Sequence, residues 1–250
     1  LLAKLGGKAA SASDALTVMA SHAVSRPVLV DVTSQETGDL LRAAVGHGFD
    51  VVMANKKPVA GTWESYSAVR QAAALAGRQI KHEATVGAGL PIIDPYHKLV
   101  ETGDRVLRIE GTVSGTLMYI GSAVSSGKPF SQAVREAVEL GYAEPDPRED
   151  LSGQDAARKV LILARLMGYR GPAAVAENLV PAAMQKLTLP QFMARLPELD
   201  ADWAARTTRE AARGRVLRYV VIATPTSVSA KLVAVPKDSP IGSLRGTRNL

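Results

Sequence analysis

The 250-residue sequence has no cysteine, which excludes disulfides, thiolate metal sites, iron–sulfur clusters and a cysteine nucleophile. Its four histidines, His22, His47, His82 and His97, are never three or four residues apart, so a histidine zinc site is not expected. Aromatic residues make up only 4%, too few for nucleic-acid binding built on base stacking. No apolar run approaches the roughly 18 residues of a membrane span. Also missing is a G-x-G-x-x-G loop: Gly87-x-Gly89 is followed by Ile92, where a third glycine or alanine would be needed.

What is present is ordinary for a globular chain. Hydrophobic residues are 46% and charged residues 22%, which argues against disorder. The length suits one large domain or two small ones around a buried core. The net charge is +6, but the arginines are dispersed except for Arg206, Arg209, Arg213, Arg215 and Arg218. Arg206, Arg209 and Arg213 fall at helical spacing, the pattern of a solvated helix face rather than a nucleic-acid surface. Leu1 to Ala10 lacks the order of a signal peptide, which with the absence of cysteine points to the cytoplasm. Both ends read as cut, so a longer protein is expected.

The first part alternates helix and strand patterns. Ser13 is placed to cap a helix to about Ala23, and Pro27 to Asp31 reads as a buried parallel strand. A helix from Glu36 to Val45, a strand from Phe49 to Ala54, a helix from Trp63 to Leu75 and a strand from Gln79 to His82 follow. Such alternation specifies a doubly wound parallel sheet. Beyond Gly89 the pattern predicts helices over Ile92–Val100, Leu117–Val124, Ser131–Leu140 and Asp150–Met167, and a strand over Arg105–Thr112. Late antiparallel strands are expected over Arg215–Ile222 and Val228–Val235. The helix after Asp150 is apolar on nearly every side and should be buried.

Asp155 and Lys159 are i, i+4 on that helix and share a face. A charge buried without a partner costs several kcal/mol, roughly, so a lysine kept there beside a carboxylate suits a proton donor or oxyanion stabiliser. An ordinary intrahelical ion pair, with Asp150 capping the helix, is the plain alternative. Lys56, in Asn55-Lys56-Lys57-Pro58, follows a strand end where an open parallel sheet binds ligands; a solvated turn is the alternative. Thr33 and Ser34 occupy the same place after the preceding strand, for a ribose or as helix caps. Glu83 and the glycine-rich turn after it suit a hard-cation site or a plain tight turn. Gly111-Thr-Val-Ser114 has the wrong spacing for a nucleophile elbow.

Asn55-Lys56-Lys57, Glu83-Ala-Thr-Val-Gly-Ala-Gly-Leu-Pro91, Glu110-Gly-Thr-Val-Ser-Gly-Thr116 and the run from Gly141 to Lys159 resemble, in this order, homoserine dehydrogenase, including the dehydrogenase part of its fusions with aspartate kinase. Ala143 stands where that family usually has threonine. The resemblance implies an α/β fold: a partial Rossmann-type nucleotide-binding domain over residues 1–90, lacking its first strands, then a mixed α+β substrate-binding, catalytic and dimerisation domain over 91–250. It implies NADP- or NAD-dependent interconversion of aspartate 4-semialdehyde and homoserine, toward threonine and methionine, by a homodimer. Lys159, Asp155 and Lys56 would be catalytic. Glu144, Tyr142, Asp150, Gly115 and Thr116 would line the substrate pocket, with Glu144 on the substrate ammonium. Thr33, Ser34 and Lys56 would contact the cofactor. Glu83 and the carbonyls of Val86, Ala88 and Leu90 would match a sodium or potassium site. Judged against the family, the phosphate-cradling strand and loop lie before Leu1 and a closing segment follows Leu250. The chain alone is therefore expected to bind nicotinamide cofactor poorly. The alternative is a non-catalytic module that keeps only the substrate pocket and the dimer interface.

Overall fold

A computed structural model describes residues 11–22 and 25–246. The chain divides into two units, Leu1–Pro95 and Tyr96–Leu250.

In the first unit, α1 (Ala12–His22), α2 (Gly38–Gly46), α3 (Lys57–Ala60) and α4 (Trp63–Leu75) alternate with β1 (Val28–Asp31), β2 (Asp50–Met53) and β3 (Ile80–Lys81). The strands form a parallel sheet in the order β1-β2-β3, with Val28 opposite Asp50 and Val51 opposite Ile80. Leu16 of α1, Ala44 of α2 and Phe49 form a buried cluster. The α1 cap is Ser11 rather than Ser13: Ser11 Oγ accepts from Asp14 N while Asp14 Oδ2 accepts from Ser11 N. The far end of the Ser13–Ala23 expectation lies outside the described residues. β1 is half-buried rather than buried on both faces, since Val28 and Val30 are 50% and 60% exposed. β2 shares this alternation: Val51 and Met53 are buried and Val52 is exposed.

α5 (Ile93–Glu101) runs across the division at Pro95. The second unit continues with β4 (Ile109–Gly111), α6 (Gly115–Ser125), α7 (Phe130–Glu139), α8 (Arg148–Leu151), α9 (Gln154–Leu166), α10 (Ala182–Gln185), α11 (Leu189–Arg195), α12 (Asp200–Ala211), β5 (Arg215–Ala223) and β6 (Val228–Pro236). The three strands form an antiparallel sheet, β4-β5-β6, pairing Ile109 with Ala223 and Arg215 with Pro236. β4 is shorter than the alternation over Arg105–Thr112 suggests. Residues before Ile109 would have to pair beyond Ala223, where the chain turns back through hydrogen bonds between Thr224 and Ser227. α6, α9 and α12 pack on β5, and the Phe130 and Trp203 rings stack at 4.4 Å and 2°.

α9 is buried along Ala156, Ala157 and Val160 through Arg165, as its apolar sequence requires. It is not continuous from Asp150: Gly153, left-handed at φ 69°, separates α8 from α9. Arginines on and after α12 meet carboxylates, Arg206 with Asp202, and Arg209, Arg213 and Arg215 with Glu210. Among the described residues no helix is long and apolar enough to cross a membrane.

Candidate active site

The β4–α6 turn and the start of α9 place one lysine between two acceptors. Lys159 Nζ lies 2.7 Å from Asp155 Oδ2 and donates to the Val113 carbonyl at 2.8 Å. The lysine side chain is 18% exposed and that of Asp155 42%. The i, i+4 spacing supplies the carboxylate, while the carbonyl comes from 46 residues away. Val113 is buried and precedes Ser114, the α6 cap, whose Oγ accepts from Leu117 N at 3.2 Å. An exposed i, i+4 pair contributes only about 0.3–0.5 kcal/mol. At this partly desolvated position its effect is to hold the ammonium in one orientation. An ammonium has three donors, and these two acceptors leave one direction for a reacting oxygen.

A second constellation lies in the same unit. Asp150 Oδ1 accepts from Thr116 Oγ1 at 2.9 Å and Oδ2 from Glu144 N at 2.8 Å. Thr116 Oγ1 also lies against the Tyr142 carbonyl, so its one proton serves two acceptors. Asp150 therefore does not cap α9 as the sequence suggests. Gly153 intervenes, and the carboxylate pins the segment carrying Tyr142 and Glu144 to the first turn of α6, which Gly115 opens. Glu144 and Tyr142 are exposed. The following loop is held by Arg148, which grips Asp146, donates to the Leu187 carbonyl at 2.6 Å and lies 5.3 Å over the Phe192 ring. Hydrogen bonding from Arg148 outweighs burial and holds the Asp146 carboxyl below its ordinary value. The Val113 carbonyl and Arg148 lie outside the sequence-based expectations. The Asp146–Arg148 spacing was a visible signal for the clamp, whereas no local spacing marks Val113.

In the first unit, Asp31 at the carboxyl end of β1 is 4% exposed. It accepts from Thr33 N and Oγ1, Thr37 Oγ1 and Asn55 Nδ2 at 2.6–3.0 Å. Burial opposes its ionisation, but the bonds from Thr37, Thr33 and Asn55 outweigh it and hold the carboxyl below its ordinary value. Asn55 also donates to the Gln35 carbonyl at 2.8 Å, so it joins the loops after β1 and β2. Thr33 and Ser34 are not the cap of α2; Thr37 occupies that place. Both hydroxyls are on exposed residues, and Lys56 stands at the start of α3. The Thr33 hydroxyl gives its proton to Asp31 and is left as an acceptor, while the Ser34 hydroxyl and Lys56 ammonium, as donors at the carboxyl ends of parallel strands, fit the ribose and phosphate groups of a dinucleotide.

Glu83 has a different occupation. Its carboxylate accepts from the backbone N–H of Ile92, Ile93 and Asp94 at 2.5–2.8 Å, satisfying the open amides at the start of α5. Gly87 and Ala88 turn the chain with φ of 92° and 52°. Three of the carboxylate's acceptor positions are thus used by amides, which leaves one of them, on Oε2, together with the backbone carbonyls of this turn. Among the described residues no group of three or more histidine, cysteine, aspartate or glutamate side chains is gathered to hold a metal.

Residues 91–250 match the family described as homoserine dehydrogenase, and residues 4–83 its NAD-binding domain. A homoserine dehydrogenase of Paracoccidioides brasiliensis is 38% identical over 255 aligned positions, covering 95% of this chain and 68% of that protein. A crystal structure of a Candida auris protein of unknown function has a TM-score of 0.88 at 38% identity, over 94% of this chain and 69% of that one. A hyperthermophilic archaeal homoserine dehydrogenase in complex with NADPH has a TM-score of 0.68 at 25% identity, over 97% of this chain and 65% of that one. The chain thus spans about two thirds of each of these proteins.

Proposed function

The chain belongs to the homoserine dehydrogenase family, and on that premise we propose that it carries out the NAD(P)-dependent interconversion of aspartate 4-semialdehyde and homoserine. The observation that carries the reading is Lys159, a partly desolvated ammonium held by Asp155 and the Val113 carbonyl with one donor direction left. As an aldehyde is reduced its oxygen becomes an alkoxide. A positioned ammonium both stabilises that charge and delivers the proton. Asp155 orients Lys159. Glu144 is the proposed partner of the substrate ammonium, with Tyr142, Asp150, Gly115 and Thr116 around the substrate. The Thr116–Asp150–Glu144 hydrogen bonds support this by fixing the backbone from which Glu144 projects.

The chemistry supplied by a bound nicotinamide is hydride transfer to or from the carbon bearing the oxygen. Thr33, Ser34 and Lys56 are the proposed cofactor contacts, supported by their place at the carboxyl ends of β1 and β2. Lys56 is also proposed as a third catalytic residue. We assign residues 1–90 to nucleotide binding and 91–250 to substrate binding, catalysis and homodimer formation. A sodium or potassium ion is proposed at Glu83 and the carbonyls of Val86, Ala88 and Leu90, and no step is routed through it. A place in threonine and methionine synthesis and a cytoplasmic location complete the proposal.

The test is loss of reduced-nicotinamide absorbance with aspartate 4-semialdehyde and NADPH. Lys159→Ala should lower kcat by about 10²- to 10⁴-fold, the usual contribution of a general acid. A variant within tenfold of the parent would remove Lys159 from the chemistry.

A further inference from the structure

The structure assigns a positioning role to Tyr119, which acts with Glu136 and Lys128 to hold the Tyr142 ring; the assignment rests on the reading of Tyr142 as a substrate-lining residue. The proposed chemistry uses none of Tyr119, Glu136 and Lys128, yet their side chains are bonded to one another. Tyr119 Oη, on α6, donates to Glu136 Oε2 of α7 at 3.0 Å. Lys128, in the connection between these helices, pairs with the same oxygen. Gln132 Nε2 donates to Oε1 at 2.9 Å. The Lys128 and Glu136 side chains are only 33% and 26% exposed, so solvent screens the cluster incompletely.

Its outcome is felt at Tyr142. The Tyr119 and Tyr142 ring centroids are 5.1 Å apart at 56°, within the favoured range for tilted aromatic pairs. Tyr142 is 44% exposed and follows Gly141, whose φ of 70° ends α7. An exposed ring after such a turn keeps rotamer freedom that substrate binding would have to remove. Tyr119 cannot swing with it, because its hydroxyl is fixed on Glu136. Burial and the Glu136 carboxylate both push the Tyr119 hydroxyl above its ordinary pKa, so it stays a donor through the neutral range. The lock and the loop it steadies are carried by one helix, since Glu136 and Tyr142 both belong to α7 or its immediate exit. A ring held ready for substrate should lower KM and leave the chemical step alone.

The experiment is a double-mutant cycle on KM for homoserine, with kcat and Tm measured on each variant. Tyr142→Ala should raise KM. Tyr119→Leu should raise it about three- to tenfold, the factor such an aromatic pair is worth, with kcat within about twofold. In the Tyr142→Ala background Tyr119→Leu should add nothing. A purely structural role would lower Tm and the active fraction and leave KM unmoved. Should Tyr119→Leu fail to fold, Glu136→Gln loosens the same lock and should raise KM in the same direction. If Tyr142→Ala raises KM while Tyr119→Leu or Glu136→Gln does not, the positioning role is overturned. If Tyr142→Ala itself leaves KM unchanged, Tyr142 is not a substrate residue, and the positioning role falls with that reading.

Discussion

Gly153→Ala tests how the second unit places its lysine-bearing helix. Gly153 has φ 69°, a left-handed conformation that costs an L-residue about 1–2 kcal/mol. A Cβ there would lie 2.0 Å from Tyr219 Oη, 2.7 Å from Cζ and 3.3 Å from Ala176 Cβ. Tyr219 has little room to retreat: it is 4% exposed, and its hydroxyl is shared between the Glu177 and Ala230 carbonyls at 2.9 and 3.1 Å. Overpacking of this kind costs about 1–3 kcal/mol, so the loss should total about 2–5 kcal/mol. That is a large share of the 5–15 kcal/mol that holds a typical domain together. The assay is urea unfolding followed by fluorescence in a Trp63→Phe background. Trp203, 4% exposed and stacked on Phe130, then reports the second unit alone. The midpoint should fall with the m-value unchanged. Adding Tyr219→Phe removes the oxygen at 2.0 Å but not the carbon at 2.7 Å, so part of the loss should return while the backbone cost stays. A loss below about 1 kcal/mol would refute the reasoning at the conformational step. An undiminished loss in the Tyr219→Phe background would refute it at the steric step.

Two further outcomes follow from single side chains. Asp31 is held below its ordinary pKa, so its bonds contribute stability that is complete above the unfolded value of about 3.9. That contribution is lost as pH falls through the lower folded value. Asp31→Asn should destabilise the first unit by about 1–3 kcal/mol at neutral pH, and the gap should narrow in urea titrations taken toward about pH 3; a constant gap would mean the charge is immaterial. Thr112, 1% exposed, has a hydroxyl without a hydrogen-bond partner, so Thr112→Val should leave stability unchanged or raise it by up to about 1 kcal/mol. A clear loss in thermal unfolding would reveal a partner for that hydroxyl.

Much of this protein is legible in its sequence because the signals are local. The Trp63–Leu75 helix has the bounds expected from its pattern, with Thr62 Oγ1 capping it through Ser65 N. The late strands and their antiparallel pairing follow from alternation and a short connection. The Asp155–Lys159 pair follows from helical geometry, where four residues make one turn. The motifs from Asn55 to Lys159 identify the family before any coordinate is known.

Tertiary structure decided what local spacing cannot encode. Only the fold brings the Val113 carbonyl to Lys159, Thr116 to Asp150 across 34 residues, and Asn55 to Asp31 across 24. It turned Asp150 away from α9 and engaged Glu83 at α5, because the nearest unsatisfied donors were backbone amides and a hydroxyl placed by other elements. It also broke one expected helix at Gly153, where Tyr219 of β5 fills the space a side chain would need. Period and propensity report the few residues on either side of a position. The partner of a buried polar group is chosen by whichever distant donor the packed core delivers, since leaving that group unpaired costs more than any local preference returns.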